Sequence, residues 1–173
     1  MGREDCQEGW HRLMAAFLHP GESLLDVGSG LGRIKERIPT ATTQEVVYGL
    51  GTDIVSPVDC LPDKSSDIVT AFDVVEHVVE DGDFLQHLCR IARKMVFITT
   101  PNYNVSKAAN GCHCREYTPE EFIQLIKLGC PPNTPFMLFV GNGKGDSREA
   151  IGHRDFMLHN HPHQAALIRI SRS

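Results

Sequence analysis

The sequence lacks the features that mark several specialised classes of protein. No apolar run in its 173 residues approaches the roughly 20 residues of a membrane-spanning helix, so no membrane span is expected. The opening residues, MGREDCQEGW, lack the basic and then apolar layout of a secretory signal, and we therefore expect a cytoplasmic protein. No internal repeat or low-complexity segment is visible, which favours a single globular domain.

Its cysteines and charges exclude two further classes. The six cysteines include no CxxC pair and are not spaced as a disulfide framework. Cys112-His113-Cys114 is a close cluster, but it lacks the usual two-residue gap and a fourth ligand, so no metal site is predicted. With 17 Lys and Arg against 22 Asp and Glu, the net charge of −5 argues against a strongly basic nucleic-acid-binding protein.

What is present is an alternation of short apolar strands and amphipathic helices. Strands are expected at residues 23–27, 45–50, 53–55, 67–72, 95–100, 136–140 and 165–170. Helices are expected at residues 5–19, 33–38, 83–93 and 118–128. This alternation predicts a mostly parallel sheet with helices on both faces, in which the last two strands pair antiparallel.

A glycine-rich turn, Gly28-Ser29-Gly30-Leu31-Gly32, follows the first expected strand. Ligands of open α/β sheets bind beyond the carboxyl ends of the strands, and glycines let the backbone approach them closely. Arg33 stands where the dinucleotide fingerprint has its third glycine, and no P-loop lysine follows. The turn therefore predicts a ligand site of another kind, with Asp26 facing a cationic or hydrogen-donating group.

Five segments in chain order make the prediction more specific. They are LLDVGSGLGR (24–33), DCLPDKSSDIV (59–69), FDVVEHV (72–78), TTPN (99–102) and HCREYT (113–118). Together they resemble the motifs of the class I S-adenosylmethionine-dependent methyltransferase superfamily, in its small-molecule and glycan-modifying branch. The resemblance implies an α/β, Rossmann-like, doubly wound and mostly parallel sheet of about seven strands, the last antiparallel. This chain departs from the family pattern where only five residues separate Asp53 from Asp59, so we expect the sheet to be shortened around the second and third strands.

From its length of 173 residues we expect one methyltransferase-like domain over residues 1–173. Residues 5–19 would form an N-terminal helix, residues 24–100 the cofactor-binding part and residues 101–173 the acceptor-side part. The cofactor implied is S-adenosylmethionine (SAM), whose methionine part would lie against Asp26 and the turn. The turn residues expected to contact it are Gly28, Ser29, Gly30 and Gly32.

An acid after the second strand binds the ribose in such enzymes. Asp53 follows the expected strand at 45–50 on the ligand side, whereas Glu45 precedes that strand, so Asp53 is the preferred candidate. In an alternative alignment Asp53 belongs to the third strand, and the ribose acid is absent. Asp59 would accept a hydrogen bond from the adenine amine, with the backbone of Cys60 beside it.

The remaining contacts implied by the resemblance concern the sulfonium and the acceptor. Phe72 and Asp73 follow the fourth strand and would lie near the sulfonium. A hydroxyl acceptor needs a general base, for which His77 and His113 are the candidates and Tyr103 and Tyr117 are less favoured. His113 has an alternative role as an anchor of residues 103–117, and Glu76 with His77 an alternative role in stabilising local structure.

The expected partner is a small-molecule acceptor, with no nucleic acid. Lys107 and Arg115, on the predicted acceptor side, favour an anionic or sugar-like molecule. The sequence also leaves open a catalytically weak or inactive SAM-binding module or partner subunit, because the region around residues 51–60 is short. A dinucleotide oxidoreductase is disfavoured by Arg33 and by the downstream motifs.

Overall fold

The computed structural model describes residues 3–108, 110–141 and 163–170 of the chain. The strands are β1 (Leu24–Val27), β2 (Thr42–Glu45), β3 (Ile54–Val55), β4 (Ser66–Phe72), β5 (Ala92–Pro101), β6 (Phe136–Gly141) and β7 (His163–Arg169). The α-helices are α1 (Arg3–Phe17), α2 (Asp81–Ile91), α3 (Tyr103–Ser106) and α4 (Pro119–Gly129). Short 3-10 helices cover Arg33–Glu36, Val58–Cys60 and Val75–His77.

The seven strands form one sheet in the order β3-β2-β1-β4-β5-β7-β6. Strands β1 to β5 pair in parallel, and β7 lies antiparallel to both β5 and β6. The predicted α/β, Rossmann-like sheet with an antiparallel last strand is confirmed. The strand order reverses between β1 and β4, and this switch point is where open α/β sheets bind their ligands.

The second strand differs from its prediction. It covers Thr42–Glu45 rather than residues 45–50, and Val27 of β1 pairs with Gln44. The exposed side chains of the apolar residues at 46–48 show why the prediction was wrong: their strand-like composition does not reflect burial in the sheet. The consequence is that Glu45 ends β2 at the carboxyl edge of the sheet instead of preceding the strand.

Helices cover both faces of the sheet. Helix α1 packs Trp10 and Met14 against a cluster that includes Phe97 of β5. On the opposite face, α2 and α4 contribute Leu88 and Phe122 to the larger core cluster. Helix α4 begins with the predicted capping box, in which the Thr118 and Glu121 side chains each accept a hydrogen bond from the other residue's backbone N–H.

Two further features complete the fold. The helix expected after the glycine turn is a 3-10 helix over Arg33–Glu36, and β3 is only two residues long, so this half of the sheet is short, as expected. Within the described part of the chain, no helix combines the length and apolarity needed to cross a membrane.

Candidate functional site

A crevice of about 210 Å³ opens beside the carboxyl ends of β1 and β4. Six residues predicted to contact a cofactor line it: Asp26, Gly28, Ser29, Gly30, Phe72 and Asp73. The other lining residues are His11, Leu31, Arg33 and Ile34. Larger cavities of about 580 and 470 Å³ lie where β4 and β5 begin, beside Lys64 and Met95. Because ligands of such sheets bind at the carboxyl edge, the smaller crevice is the functional candidate.

The turn after β1 adopts conformations that only glycine takes readily. Gly28 has φ +67° and Gly30 has φ +55°. A Cβ on Gly28 would lie 2.7 Å from a methyl carbon of Val74, whereas a Cβ on Gly30 would meet nothing within 4 Å. Packing therefore requires glycine at position 28, and the backbone at Gly30 borders open space that a ligand can enter.

The end of β2 holds this turn in place. Glu45 Oε1 accepts a 2.8 Å hydrogen bond from the backbone N–H of Gly30. The Gln44 side chain accepts from the N–H of Gly28 at 3.3 Å, and the Gln44 carbonyl accepts from the N–H of Ser29 at 3.1 Å. Glu45 is therefore the acid beside the glycine turn. Sequence reasoning weighed Glu45 but set it aside, because the β-branched residues after it shifted the strand prediction forward and placed Glu45 at the wrong end of the strand.

Asp53 lies in a different environment. Its carboxylate accepts 2.8 Å hydrogen bonds from both the N–H and the hydroxyl of Thr43, and a 2.7 Å bond from Lys35 Nζ. The hydrogen bonds from Lys35 and then Thr43 lower the pKa of Asp53 to about 2. Since Thr43 lies in the first half of β2, the prediction that Asp53 follows the second strand on the ligand side is wrong, and Asp53 does not line the crevice.

Three other predicted cofactor residues also lie outside the crevice lining. Gly32 precedes the 3-10 helix that begins at Arg33. Asp59 and Cys60 are exposed in the 3-10 helix after β3, where the carbonyl of Asp59 accepts a 3.1 Å hydrogen bond from Arg90. Their contacts with an adenine stay predictions.

Asp26 is the buried acid at the floor of the crevice. Its side chain accepts a 2.7 Å hydrogen bond from the hydroxyl of Thr70. Burial raises the pKa of Asp26 to about 7, the Thr70 hydrogen bond opposes that shift, and the charge of Glu45 adds to it. A cationic ligand group beside Asp26 would favour its charged form, so binding and proton release are coupled there.

Asp73, at the end of β4, has a strained backbone, with φ +54° in a region that non-glycine residues rarely adopt. Its N–H donates to Thr99 Oγ1 at 3.0 Å, and the Thr99 hydroxyl donates to Asp73 Oδ1 at 2.8 Å. These contacts hold a buried carboxylate at the wall of the crevice. Strain of this kind is concentrated at functional sites.

Helix α1 supplies a wall that sequence reasoning did not predict. The His11 ring packs edge-on against Phe72, with ring centroids 4.7 Å apart. Both residues are buried and both line the crevice. No local sequence signal could have joined them, because they lie far apart in the chain and meet only in the folded sheet.

A second cluster follows Asp73 directly. The buried Glu76 carboxylate accepts a 3.2 Å hydrogen bond from the Thr100 hydroxyl, and the rings of His77 and His113 lie 4.8 Å apart between centroids. The Glu76 carbonyl accepts from the N–H of Cys114 at 2.8 Å, which ties the loop of His113 to the turn after β4. The structure thus brings both predicted general-base candidates together.

Comparison with solved structures agrees with this geometry. No family model matches the sequence. No curated protein matches it either. A SAM-dependent methyltransferase from Archaeoglobus fulgidus is similar in structure at 14% identity and a TM-score of 0.68, over 98% of this chain and 95% of the other. Another from Thermotoga maritima is similar at 16% identity and a TM-score of 0.65, over 94% and 89%. The plantazolicin methyltransferase BpumL, solved with SAH, is similar at 14% identity and a TM-score of 0.62, over 96% and 82%.

The chain has the fold of the SAM-dependent methyltransferases. In this methyltransferase fold, Tyr117 and Arg115 lie on the predicted acceptor side. Tyr117 is fully buried and donates a 2.8 Å hydrogen bond to Asp81, and burial with this contact raises the pKa of Tyr117 above its ordinary value, so it is a poor base. Arg115 lies 3.6 Å from Asp81 and 3.7 Å from Glu121, so two carboxylates already balance its charge.

Proposed function

We propose that this protein is a SAM-dependent methyltransferase of small molecules, with SAM bound in the crevice between β1 and β4. The observation that carries the proposal is the convergence of the glycine turn with Asp26, Phe72 and Asp73 at the switch point of a methyltransferase sheet. These residues come from two separate strands and meet at the edge where ligands of this architecture bind.

The residues present fit the proposed cofactor. SAM, when bound, supplies a methyl group on a positively charged sulfur. Asp26 offers a buried acid to its ammonium group, and the open backbone at Gly30 permits close approach. Glu45 is not among the lining residues, but its hydrogen bond to Gly30 holds its carboxylate beside the turn, which supports it as the acid for the ribose hydroxyls. Asp73 is a second buried acid, at the wall of the crevice.

The protein's own contribution to the reaction is to bind, orient and dehydrate. Phe72 and His11 exclude water from one side of the crevice, which strengthens the attraction between Asp26 and a cationic group. The hydrogen bonds to Glu45 and Asp73 fix these acids before the ligand arrives. Such pre-organisation holds the reacting atoms in line and reduces the entropic cost of the transfer.

A hydroxyl acceptor would also need a base, and His77 suits that role better than His113. His77 is exposed, with Nδ1 3.1 Å from the Cys112 carbonyl oxygen. His113 is enclosed, and both of its ring nitrogens contact neighbouring side chains. We therefore assign proton transfer to His77 and an anchoring role to His113 whenever the acceptor is a hydroxyl.

The acceptor proposed is an anionic or sugar-like small molecule. Of the two cations that favoured it in the sequence, Arg115 is balanced by Asp81 and Glu121. Lys107 is exposed, and its ammonium lies 5.3 Å from the centre of the Tyr103 ring. Attraction of an anion on this side therefore depends chiefly on Lys107.

One structural observation favours a second candidate function. Strand β3 has two residues, and a four-residue 3-10 helix follows the glycine turn. A cofactor site bordered by so short a strand and helix suits a SAM-binding module or partner subunit without catalytic activity.

Calorimetric titration with S-adenosylhomocysteine, the demethylated product of SAM, tests the proposal. We expect stoichiometric binding and an increase in melting temperature, with no effect of NAD as the control ligand. Transfer of a labelled methyl group from SAM to a panel of hydroxylated, aminated and anionic acceptors then separates the two candidates. Binding without transfer favours the inactive module, and absence of binding overturns both.

A further inference from the structure

Glu76, His77 and His113 form a compact group that the proposed function does not fully use. Each residue offers one ligand atom, and these atoms all lie within 4.8 Å of one another. Within residues 3–108, 110–141 and 163–170, it is the one group of three or more His, Cys, Asp or Glu side chains that meets this condition. Two imidazoles and one carboxylate are a donor set that proteins use for transition metals.

The contacts of His113 determine which ring nitrogen can bind a metal. Asn110 Oδ1 accepts a 3.1 Å hydrogen bond from the N–H of Cys112, so the Asn110 amide nitrogen is the donor 2.9 Å from His113 Nε2. This network assigns the proton to Nδ1 and the lone pair to Nε2, where it accepts the hydrogen bond from Asn110, so a metal at Nε2 must displace the Asn110 amide. Nδ1 in turn lies 2.5 Å from a carboxylate oxygen of Glu116.

His77 shows the same arrangement. Its Nδ1 lies 3.1 Å from the carbonyl oxygen of Cys112. Because a carbonyl can only accept, Nδ1 donates and Nε2 keeps the lone pair in the neutral ring. Histidines that bind metals almost always donate their other ring N–H to a carboxylate or a backbone carbonyl. His113 directs its Nδ1–H to the carboxylate of Glu116, and His77 directs its Nδ1–H to the backbone carbonyl of Cys112.

The third member is a carboxylate with no exposed surface. Glu76 is 0% exposed, and its Oε2 accepts a 3.2 Å hydrogen bond from Thr100. Burial of a carboxylate is costly unless a cation or hydrogen bonds compensate it. Its backbone carbonyl is also fixed, since it accepts from the N–H groups of Cys114 and Arg115. The carboxylate and the loop of His113 are therefore held against each other without a metal.

We propose that Glu76, His77 and His113 bind one divalent transition-metal ion. The two imidazoles favour zinc, cobalt or a neighbouring metal over calcium and magnesium, which prefer oxygen ligands throughout. Three protein ligands leave a coordination position for water or for an oxygen donor of a second ligand. Glu116 is a positioning residue, because it contacts His113 rather than the metal. The site stands on this geometry and does not depend on the proposed transferase activity. A bound metal would take the Nε2 lone pair of His77, so the metal site and the base role proposed for His77 exclude each other.

Cobalt is the most informative probe, because its visible spectrum reports both binding and ligand type. The full chain is treated with a chelator, exchanged into chelator-free buffer and titrated with Co²⁺. We expect one equivalent to bind, with visible bands of a nitrogen and oxygen site and without a sulfur-to-metal charge-transfer band. A strong charge-transfer band would instead locate the metal on the exposed thiols of Cys112 and Cys114 and overturn the proposal.

Variants then assign the ligands. His77→Ala changes an exposed side chain, so it should leave the fold intact and weaken Co²⁺ binding at least tenfold. Glu76→Gln should also weaken Co²⁺ binding at least tenfold. Glu116→Gln should weaken it by about 10- to 100-fold, because His113 loses the carboxylate that positions its ring. A C112S/C114S double variant is the matched control and should bind Co²⁺ like the parent chain.

Besides a strong charge-transfer band, three results would overturn the proposal: no binding by the parent chain, unchanged binding by His77→Ala, or loss of binding in the double cysteine variant. Circular dichroism and urea unfolding establish that each variant is folded. Should Glu76→Gln fail to fold, magnetic resonance of the bound metal provides the alternative measurement. Two coordinated imidazoles support the site, and one or none contradicts it.

Discussion

The backbone N–H of Gly30 donates a 2.8 Å hydrogen bond to Oε1 of Glu45. This contact joins the turn after β1 to the last residue of β2, and it places a carboxylate beside the backbone that borders the crevice. Asp53, which the sequence favoured for the same role, is instead bound to Thr43 and Lys35. The two acids can therefore be distinguished by experiment.

Glu45→Gln should weaken binding of S-adenosylhomocysteine by about tenfold or more, because hydrogen bonds to a charged group contribute about 1.5–3 kcal/mol. Asp53→Asn should leave that affinity within about twofold, although it should lower stability through its contacts with Thr43. Calorimetric titration of both variants gives the comparison. A larger loss of affinity in Asp53→Asn than in Glu45→Gln would return the ribose contact to Asp53.

Asp26→Asn should stabilise the free protein in a pH-dependent way. Burial raises the pKa of Asp26 from 3.8 to about 7, so its contribution to stability is full below the unfolded pKa and is lost as the pH rises towards 7. The variant should therefore match the parent chain in strong acid and exceed it by a few kcal/mol above neutral pH. Urea unfolding at a series of pH values measures this difference.

The same variant should bind S-adenosylhomocysteine poorly above neutral pH, because an uncharged amide cannot balance an ammonium group. Greater stability together with weaker binding would identify Asp26 as a residue that function, rather than folding, requires. A stability difference that does not change with pH would show that Asp26 does not titrate in this range. A Thr70→Val variant provides a control that removes the hydrogen bond and leaves the carboxyl group.

Gly28→Ala and Gly30→Ala form a matched pair. Both positions have positive φ, so each substitution carries the left-handed strain of about 1–2 kcal/mol. Only alanine at position 28 would also press against Val74, which adds roughly 1–3 kcal/mol of overpacking. We expect Gly28→Ala to lower the free energy of unfolding more. Adding Val74→Ala to Gly28→Ala should recover part of the loss, and equal losses at both glycines would contradict the packing argument.

Tyr117→Phe tests whether this residue is structural. Its buried hydroxyl donates to Asp81, so removal should cost about 1–3 kcal/mol of stability. Methyl transfer by the folded variant should keep its kcat, because the raised pKa of Tyr117 and its donated proton make it unsuitable as a base. Tyr103→Phe, at an exposed position, is the control for stability. A large fall in kcat with unchanged stability would reverse this assignment.

Sequence reasoning predicted the architecture well because apolar periodicity and glycine placement are local signals. The strands that became β1, β4 and β5 were predicted within a few residues, and the glycine turn was placed correctly at the carboxyl end of β1. The position of β2 was wrong because Val46 and Val47 have strand-like side chains that are exposed in the structure. Register depends on which residues the neighbouring strand pairs with, and that information is not local.

The site was predicted only where its residues follow a motif. One crevice is lined by Asp26, Phe72 and Asp73, as expected. His11 also lines it, but only because helix α1 packs against the sheet. The grouping of Glu76 and His77 with His113 likewise depends on hydrogen bonds between the Glu76 carbonyl and the loop at Cys114 and Arg115. Contacts of this range cannot be derived from spacing along one chain.

Consecutive threonines at the end of β5 contact both acids that follow β4. The Thr99 hydroxyl donates to Asp73 and the Thr100 hydroxyl to Glu76. Neighbouring side chains of a strand point to opposite sides of the sheet. One peptide unit of β5, between Thr99 and Thr100, therefore separates the residue that holds Asp73 in the crevice from the residue that holds Glu76 beside His77. Both acids are thereby anchored to adjacent residues of the same strand end.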